Sequence, residues 1–115
     1  MKTITSGTGV KAEPWIEGKV VAGEFIGAET LPKCESRKLT FRGPTGELAV
    51  WETATLAQQV AKMTPGKVYH VECLGKSINT PNGKAWGFDV REAENDTEAA
   101  ECLEAFRIYL AKGGK

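Results

Sequence analysis

The chain has a single histidine, His70, and three cysteines, Cys34, Cys73 and Cys102, which lie far apart and form no CxxC pair. A histidine-based metal cluster, a zinc or thiol-redox motif and a Cys/His dyad with alternative partners are therefore excluded. Scattered thiols of odd number fit reduced cysteines in the cytoplasm. No apolar run approaches the roughly 20 residues of a membrane span. Met1 to Lys11 supply Thr, Ser and Gly where a secretion signal needs an apolar core. A cytoplasmic protein with no membrane partner is expected. The glycine-rich pieces Gly7-Thr8-Gly9 and Gly113-Gly114 lack the strand-to-helix context and the Lys-Ser/Thr ending of a phosphate loop. Neither a catalytic residue, a metal ligand nor a cofactor is expected, so the chain reads as a binding protein and not an enzyme. His70 falls on a strand face with Glu72 and Asp89, as a surface histidine.

Net charge is also lacking, at zero, yet its distribution is uneven. Between residues 31 and 91 nine cations face five anions, a net of +4. Residues 92–106 hold six carboxylates and no cation, a net of −6. An even total thus hides a basic body followed by an acidic strip. The 115 residues, 41% hydrophobic and 26% charged, suit one globular domain able to bury a core without metal or disulfide support.

Residues 1–14 are polar and aperiodic and read as a mobile arm. A first strand is expected from about Trp15 to Ile26, with Gly18 and Gly23 allowing it to bend. Ser36 to Trp51 reads as a hairpin turning at Gly43-Pro44-Thr45-Gly46. Pairing outward from that turn sets Arg42 opposite Glu47, Phe41 opposite Leu48, Thr40 opposite Ala49, Leu39 opposite Val50 and Lys38 opposite Trp51. Alternation then gives a core face of Leu39, Phe41, Leu48 and Val50. The other face, Lys38, Thr40, Arg42, Glu47, Ala49 and Trp51, is expected to look at solvent. Leu56, Val60 and Met63 recur at helical spacing behind a capping Thr53 or Thr55, and Pro65-Gly66 ends that helix. Lys67–Lys76 and Ala85–Arg91 form a second hairpin with an Asn82-Gly83 turn, its apolar face holding Tyr69, Val71, Cys73, Trp86, Phe88 and Val90. Within 92–115, Asp96 to Leu110 is an amphipathic helix carrying Ala99, Leu103, Phe106 and Leu110.

Strand, hairpin, short helix, hairpin is the order of an OB barrel. The expected fold is mainly β: a five-stranded antiparallel OB-type barrel over 15–91, a helix between strands three and four, and a C-terminal helix. Through Trp15-Ile16-Glu17-Gly18-Lys19-Val20, the hairpin Lys38–Trp51, Thr64-Pro65-Gly66-Lys67-Val68 and the Asn82-Gly83 hairpin, the chain resembles OB-fold single-stranded nucleic-acid-binding proteins. It is similar more loosely to the small bacteriophage-type single-stranded DNA-binding proteins of replication. These patterns cover about two-thirds of the chain. The resemblance implies binding across strands two and three and the loops beside them. Those positions are Lys33 and Arg37 in the first loop, Lys38, Thr40, Arg42 and Trp51 on the sheet, and Lys76, Asn79, Asn82 and Lys84 in the second loop, with Trp86 adjacent. Such proteins often end in a disordered acidic tail, whereas here the acidic strip leads into a helix.

Single-stranded nucleic acid asks for cations along the phosphates and flat faces for the bases. Trp51, Lys38 and Arg42 share one predicted surface and meet both needs. The competing reading has Trp51 covered by the Lys38 stem or by the C-terminal helix, and the loop as a solvated hairpin tip with Trp86 sealing the barrel end. Single-stranded DNA is the expected ligand, bound without strong sequence preference in replication, recombination or repair, with RNA the other candidate. The alternative is an OB-type protein adaptor or oligomerisation module, for example a homodimer through the C-terminal helix. On the first reading Trp51→Ala weakens single-strand affinity by about 1–3 kcal/mol with little change in melting temperature; oligonucleotide titration and thermal denaturation measure both, and a large loss of stability would invert the face assignment.

Overall fold

The computed structural model describes residues 12–31 and 36–113. Among these the chain runs β1 (Ala12–Glu13), β2 (Val20–Glu29), β3 (Lys38–Gly43), β4 (Gly46–Trp51), α1 (Ala54–Val60), β5 (Val68–Cys73), β6 (Ile78–Thr80), β7 (Gly83–Ala85), β8 (Phe88–Glu92) and α2 (Asp96–Ala111). The protein is mainly β, with a six-stranded mixed sheet in the order β1-β4-β3-β2-β5-β8 and a separate ribbon, β6-β7. The sheet is not closed: β4 and β8 are not neighbours, and β1 lies parallel beside β4 through Ala12↔Ala49 and Glu13↔Val50.

The β3-β4 hairpin has the register its turn dictates, from Arg42↔Glu47 to Lys38↔Trp51. Leu39, Phe41 and Val50 are each 1% exposed or less and form the centre of the core. The strand expected at Trp15 begins only at Val20, because Gly18 takes a positive φ of 88° and the Lys19 N–H donates to the Ile16 carbonyl, turning the chain. From there the first half of β2, Val20–Glu24, pairs with β5 and the second half, Glu24–Glu29, with β3, a division between two neighbours that suits a long coiled strand. A bulge between Phe25 and Gly27 supplies part of the bend. Gly23 supplies the rest: a Cβ there would stand 2.6 Å from the Arg42 carbonyl oxygen, so a side chain would force the strands apart.

Helix α1 starts at Thr53, whose hydroxyl accepts from the Leu56 N–H at 3.2 Å. It buries Leu56 and Val60, with Met63 just beyond, under the open side of the sheet. Strand β5 bonds β8 in the register Tyr69↔Glu92 to Cys73↔Phe88. Its inward residues Tyr69, Val71 and Cys73 are buried, and Phe88, Val90 and Trp86 pack partly buried against them. The expected loop between them is a ribbon in which Asn79 faces Lys84 and Thr80 faces Gly83. Its turn is Pro81-Asn82, one residue earlier than expected, with Gly83 taking φ 117° directly after it.

Helix α2 is capped by Asn95, which accepts from the Glu98 N–H, and lies on the outer side of β2, β3 and β5. Phe106, 2% exposed, stacks on Tyr109 and sits against Gly43. The Val20 N–H donates to the Tyr109 hydroxyl at 3.1 Å. The main apolar anchor of α2 is therefore buried against the chain's own sheet. No helix among the described residues is long and apolar enough to cross a membrane.

Between β4 and β8, where no ladder exists, Trp15 bridges. Its indole Nε1 donates to the Trp51 carbonyl at 2.7 Å, and its ring meets Phe88 edge-on at 4.9 Å between centroids. Trp15→Ala is expected to cost about 3–5 kcal/mol in urea denaturation, and Trp15→Phe, which keeps an aromatic ring but orphans the Trp51 carbonyl, about 1–3 kcal/mol.

Candidate nucleic-acid interface

The face built by Lys38, Thr40, Arg42 and Trp51 is less open than alternation suggests. Lys38 is 5% exposed and Thr40 2% exposed, a correction to the expected solvent-facing surface. The cause is position: β3 lies inside the sheet, so its outer residues have neighbours on both sides. Glu29 and Trp51 flank Lys38 as Cα partners, and Gly27 and Ala49 flank Thr40. At the bulge, Thr40 lines a cavity of about 150 Å³ with Ile26, Gly27, Ala28 and Glu29. Arg42 is exposed but lies 3.1 Å from Glu47 and 3.7 Å from Glu24. Trp51 is half-buried and is held through its backbone by Trp15.

Arg37 forms a forked pair with Glu52, Nε to Oε1 at 2.8 Å and Nη2 to Oε2 at 2.6 Å. The hydrogen bond to Glu52 holds the guanidinium above its ordinary pKa. Glu52 is 9% exposed, so the pair neutralises a nearly buried carboxylate. Lys33 lies outside the described residues. The first-loop part of the expected site thus contributes one cation already engaged.

The second part comes together. From Leu74 to Gly87 the chain holds two cations, Lys76 and Lys84, and no carboxylate. Among the described residues neither lysine has an acidic partner. Lys76 Nζ stands over the Trp86 ring, 5.8 Å from its centroid. Asn79 and Lys84 lie opposite each other across the ribbon, and Asn82 occupies its turn, all exposed. The ribbon is joined to the sheet by Leu74 N–H to Gly87 O at 2.8 Å and Gly87 N–H to Gly75 O at 2.9 Å. The Thr55 hydroxyl, at the start of α1, donates to the Trp86 carbonyl and fixes the base of the ribbon against the helix. Two residues that alternation did not single out belong here: Leu74 and Ile78, 45% and 42% exposed. The projecting ribbon carries Asn79 and Lys84 on one face and Ile78 on the other, with Lys76 over Trp86 at its base, so that it offers the cations, amides and apolar groups that meet a phosphate backbone and its bases.

The other sheet face near α2 is of opposite sign. A cavity of about 400 Å³ between β5, β8 and α2 is lined by His70, Glu72, Asp89, Arg91, Glu92, Glu98 and Cys102. His70 is half-buried with its Nδ1 inaccessible and without a partner. Burial raises the Cys102 and Cys73 thiols above the ordinary range, which suppresses the reactive thiolate. Among the described residues no three His, Cys, Asp or Glu side chains are placed to hold a metal ion.

Comparison with protein-family models, with the curated proteins and with the solved structures finds no match.

The Arg37–Glu52 geometry separates a structural role from a binding one. Arg37→Ala leaves a nearly buried carboxylate unpaired and is expected to lower unfolding stability by about 1–3 kcal/mol. Its effect on oligonucleotide affinity, compared at a temperature where the variant is folded, is expected to stay within about threefold, or roughly 0.6 kcal/mol.

Proposed function

We propose that the chain binds single-stranded DNA without strong sequence preference, using the β6-β7 ribbon and Trp86 as its main contact and Trp51 as a second stacking face. The observation that carries this reading is the ribbon itself: a projecting, carboxylate-free element with two lysines that have no acidic partner among the described residues, exposed amides and an indole at its base. Base stacking accepts any base because every base has a π-face, and lysines track phosphates without reading sequence. That chemistry fits a protein that covers exposed strands in replication, recombination or repair.

The strand connectivity supports an OB-type reading. β2, β3 and β4 form a meander, α1 follows, and β5-β8 is a hairpin whose first strand returns to β2. In this reading β4 and β8 are the strands that face each other across the seam, and Trp15 and α1 fill it. The ribbon is then the extended fourth-to-fifth-strand connection, one of the loops with which OB folds grip oligonucleotides.

Titration of a fluorescent oligo(dT) at several salt concentrations tests the reading. Affinity is expected to fall with salt, and Lys76→Ala and Lys84→Ala each to flatten the slope of log K against log salt by about 0.7, one phosphate contact on a single strand. No binding at low salt, or slopes unchanged by both substitutions, overturns it. RNA of matched length in the same titration reports whether the 2′-hydroxyl is tolerated.

A further inference from the structure

Where the ribbon leaves the sheet, its two sides do not match residue for residue. The Gly75 carbonyl accepts from the Gly87 N–H, and the next pair along the ribbon is Ile78↔Ala85. Between these points Lys76 and Ser77 stand on one side and Trp86 alone on the other, so the first side carries the extra residue of a bulge. Gly75 takes a positive φ of 75°, and the Ser77 N–H donates back to the Gly75 carbonyl at 2.9 Å, folding the chain tightly about Lys76. Gly87 leaves room for Ser77, since a Cβ there would collide with the Ser77 Oγ. This local geometry sets the Lys76 ammonium over the Trp86 ring, 5.8 Å from its centroid.

Lys76 is exposed, while Trp86 is half-buried and packs against the core, so the indole face beneath the ammonium is the one turned to solvent. It is also the face a base needs. We propose that Lys76 is the resident cap of the Trp86 stacking face, and that a single strand binds by exchange: a base takes the ring while the ammonium passes to a neighbouring phosphate of the same strand. The exchange rests on the single-strand reading above. It makes Lys76 at once a restraint on stacking and a phosphate contact, and the two effects oppose each other in the measured affinity.

A cation over an exposed ring contributes less than a stacked base, so a base wins the face. The part that moves is the lysine and not the indole. The Thr55 hydroxyl holds the Trp86 carbonyl, and Leu74 and Gly75 hold Gly87 beside it, whereas the Lys76 stem is four carbons of flexible chain ending in a point charge. Lys84 differs: it lies across the ribbon from Asn79 and has no ring beneath it among the described residues. It reaches a phosphate without giving anything up.

The full chain, isotope-labelled at lysine and followed by NMR during titration with oligo(dT), tests the exchange. The Lys76 ε-methylene resonance, assigned by its absence from Lys76→Ala, is expected upfield of that of Lys84 in the free chain, because it lies in the ring current of Trp86. As oligo(dT) fills the site it is expected to move downfield, toward the Lys84 position. Affinity gives the second readout. Lys76→Ala is expected to bind more weakly than the wild type at low salt, where the phosphate contact dominates. At about 1 M salt, where that contact is screened and the ring stands uncapped, it is expected to bind about two- to fivefold more tightly. Lys84→Ala is expected to gain nothing at any salt. A Lys76 resonance that is not upfield in the free chain, or that stays upfield in a chain saturated with oligo(dT), overturns the exchange and leaves single-strand binding standing. So does a Lys76→Ala chain weaker than the wild type at every salt concentration. Absence of oligo(dT) binding at low salt removes the reading beneath it, and the exchange falls with that reading.

Discussion

A single indole joins two strands that share no hydrogen bonds. The Nε1–H of Trp15 reaches the Trp51 carbonyl at the end of β4, and the same ring lies edge-on against Phe88 at the start of β8. The sheet runs continuously from β4 through β3, β2 and β5 to β8, and its coil brings the two ends toward each other. Without a closing ladder, the seam between them exposes core, and only bulky apolar groups stop water from entering. Trp15 does so from one side and Leu56 and Val60 of α1 from the other. A buried donor and a large apolar surface on one side chain make this residue the keystone of the arrangement. The glycine at position 23 and the bulge after Phe25 are what let the sheet coil far enough for Trp15 to span the gap.

The electrostatics follow from the same architecture. The net +4 of residues 31–91 suggests a basic surface, yet four of its nine cations are met locally. Arg37 pairs with Glu52, Arg42 with Glu24 and Glu47, Lys67 with Glu92 and Arg91 with Asp89. Antiparallel pairing sets Arg42 opposite both Glu24 and Glu47, residues of the two strands beside it, and the sequence supplies opposite charges there. Among the described residues the ribbon's Lys76 and Lys84 have no acidic partner, and the ribbon belongs to no large sheet and has no carboxylate of its own. Charge counted along a segment therefore misjudges where a polyanion finds purchase. Charge counted by cross-strand partner points to the ribbon.

Much of this was legible in the residues. The Pro44-Thr45 turn sets the whole β3-β4 register, because a short connection leaves only one way to pair. The Thr53 cap, the Pro65-Gly66 stop and the α2 periodicity follow from local chemistry. Three things were not legible. Trp15 looks like the first residue of a strand because apolar residues follow it, and nothing local announces that its side chain serves β4. Lys38 and Thr40 alternate outward correctly, but alternation says nothing about neighbours on the same face, and a central strand has two. The sheet's failure to close is a matter of distance between ends, which no pattern of apolar residues encodes. For the candidate site, the loop 76–84 and Trp86 could be named from composition. The exposure of Leu74 and Ile78 could not, since apolar residues in a strand-like stretch are ordinarily assigned to the core.

The ribbon hangs from the sheet by a pair of bonds between Gly75, Leu74 and Gly87, with Thr55 steadying its base. A two-stranded element of three residues a side adds almost nothing to the core. Its composition and length are thus uncoupled from the stability of the body that carries it. Selection can lengthen it, recharge it or exchange its side chains while the coiled sheet, its tryptophan bridge and its ion pairs stay as they are. The molecule is in that sense two inheritances in one chain: a body answerable to folding, and an appendage answerable only to whatever it touches.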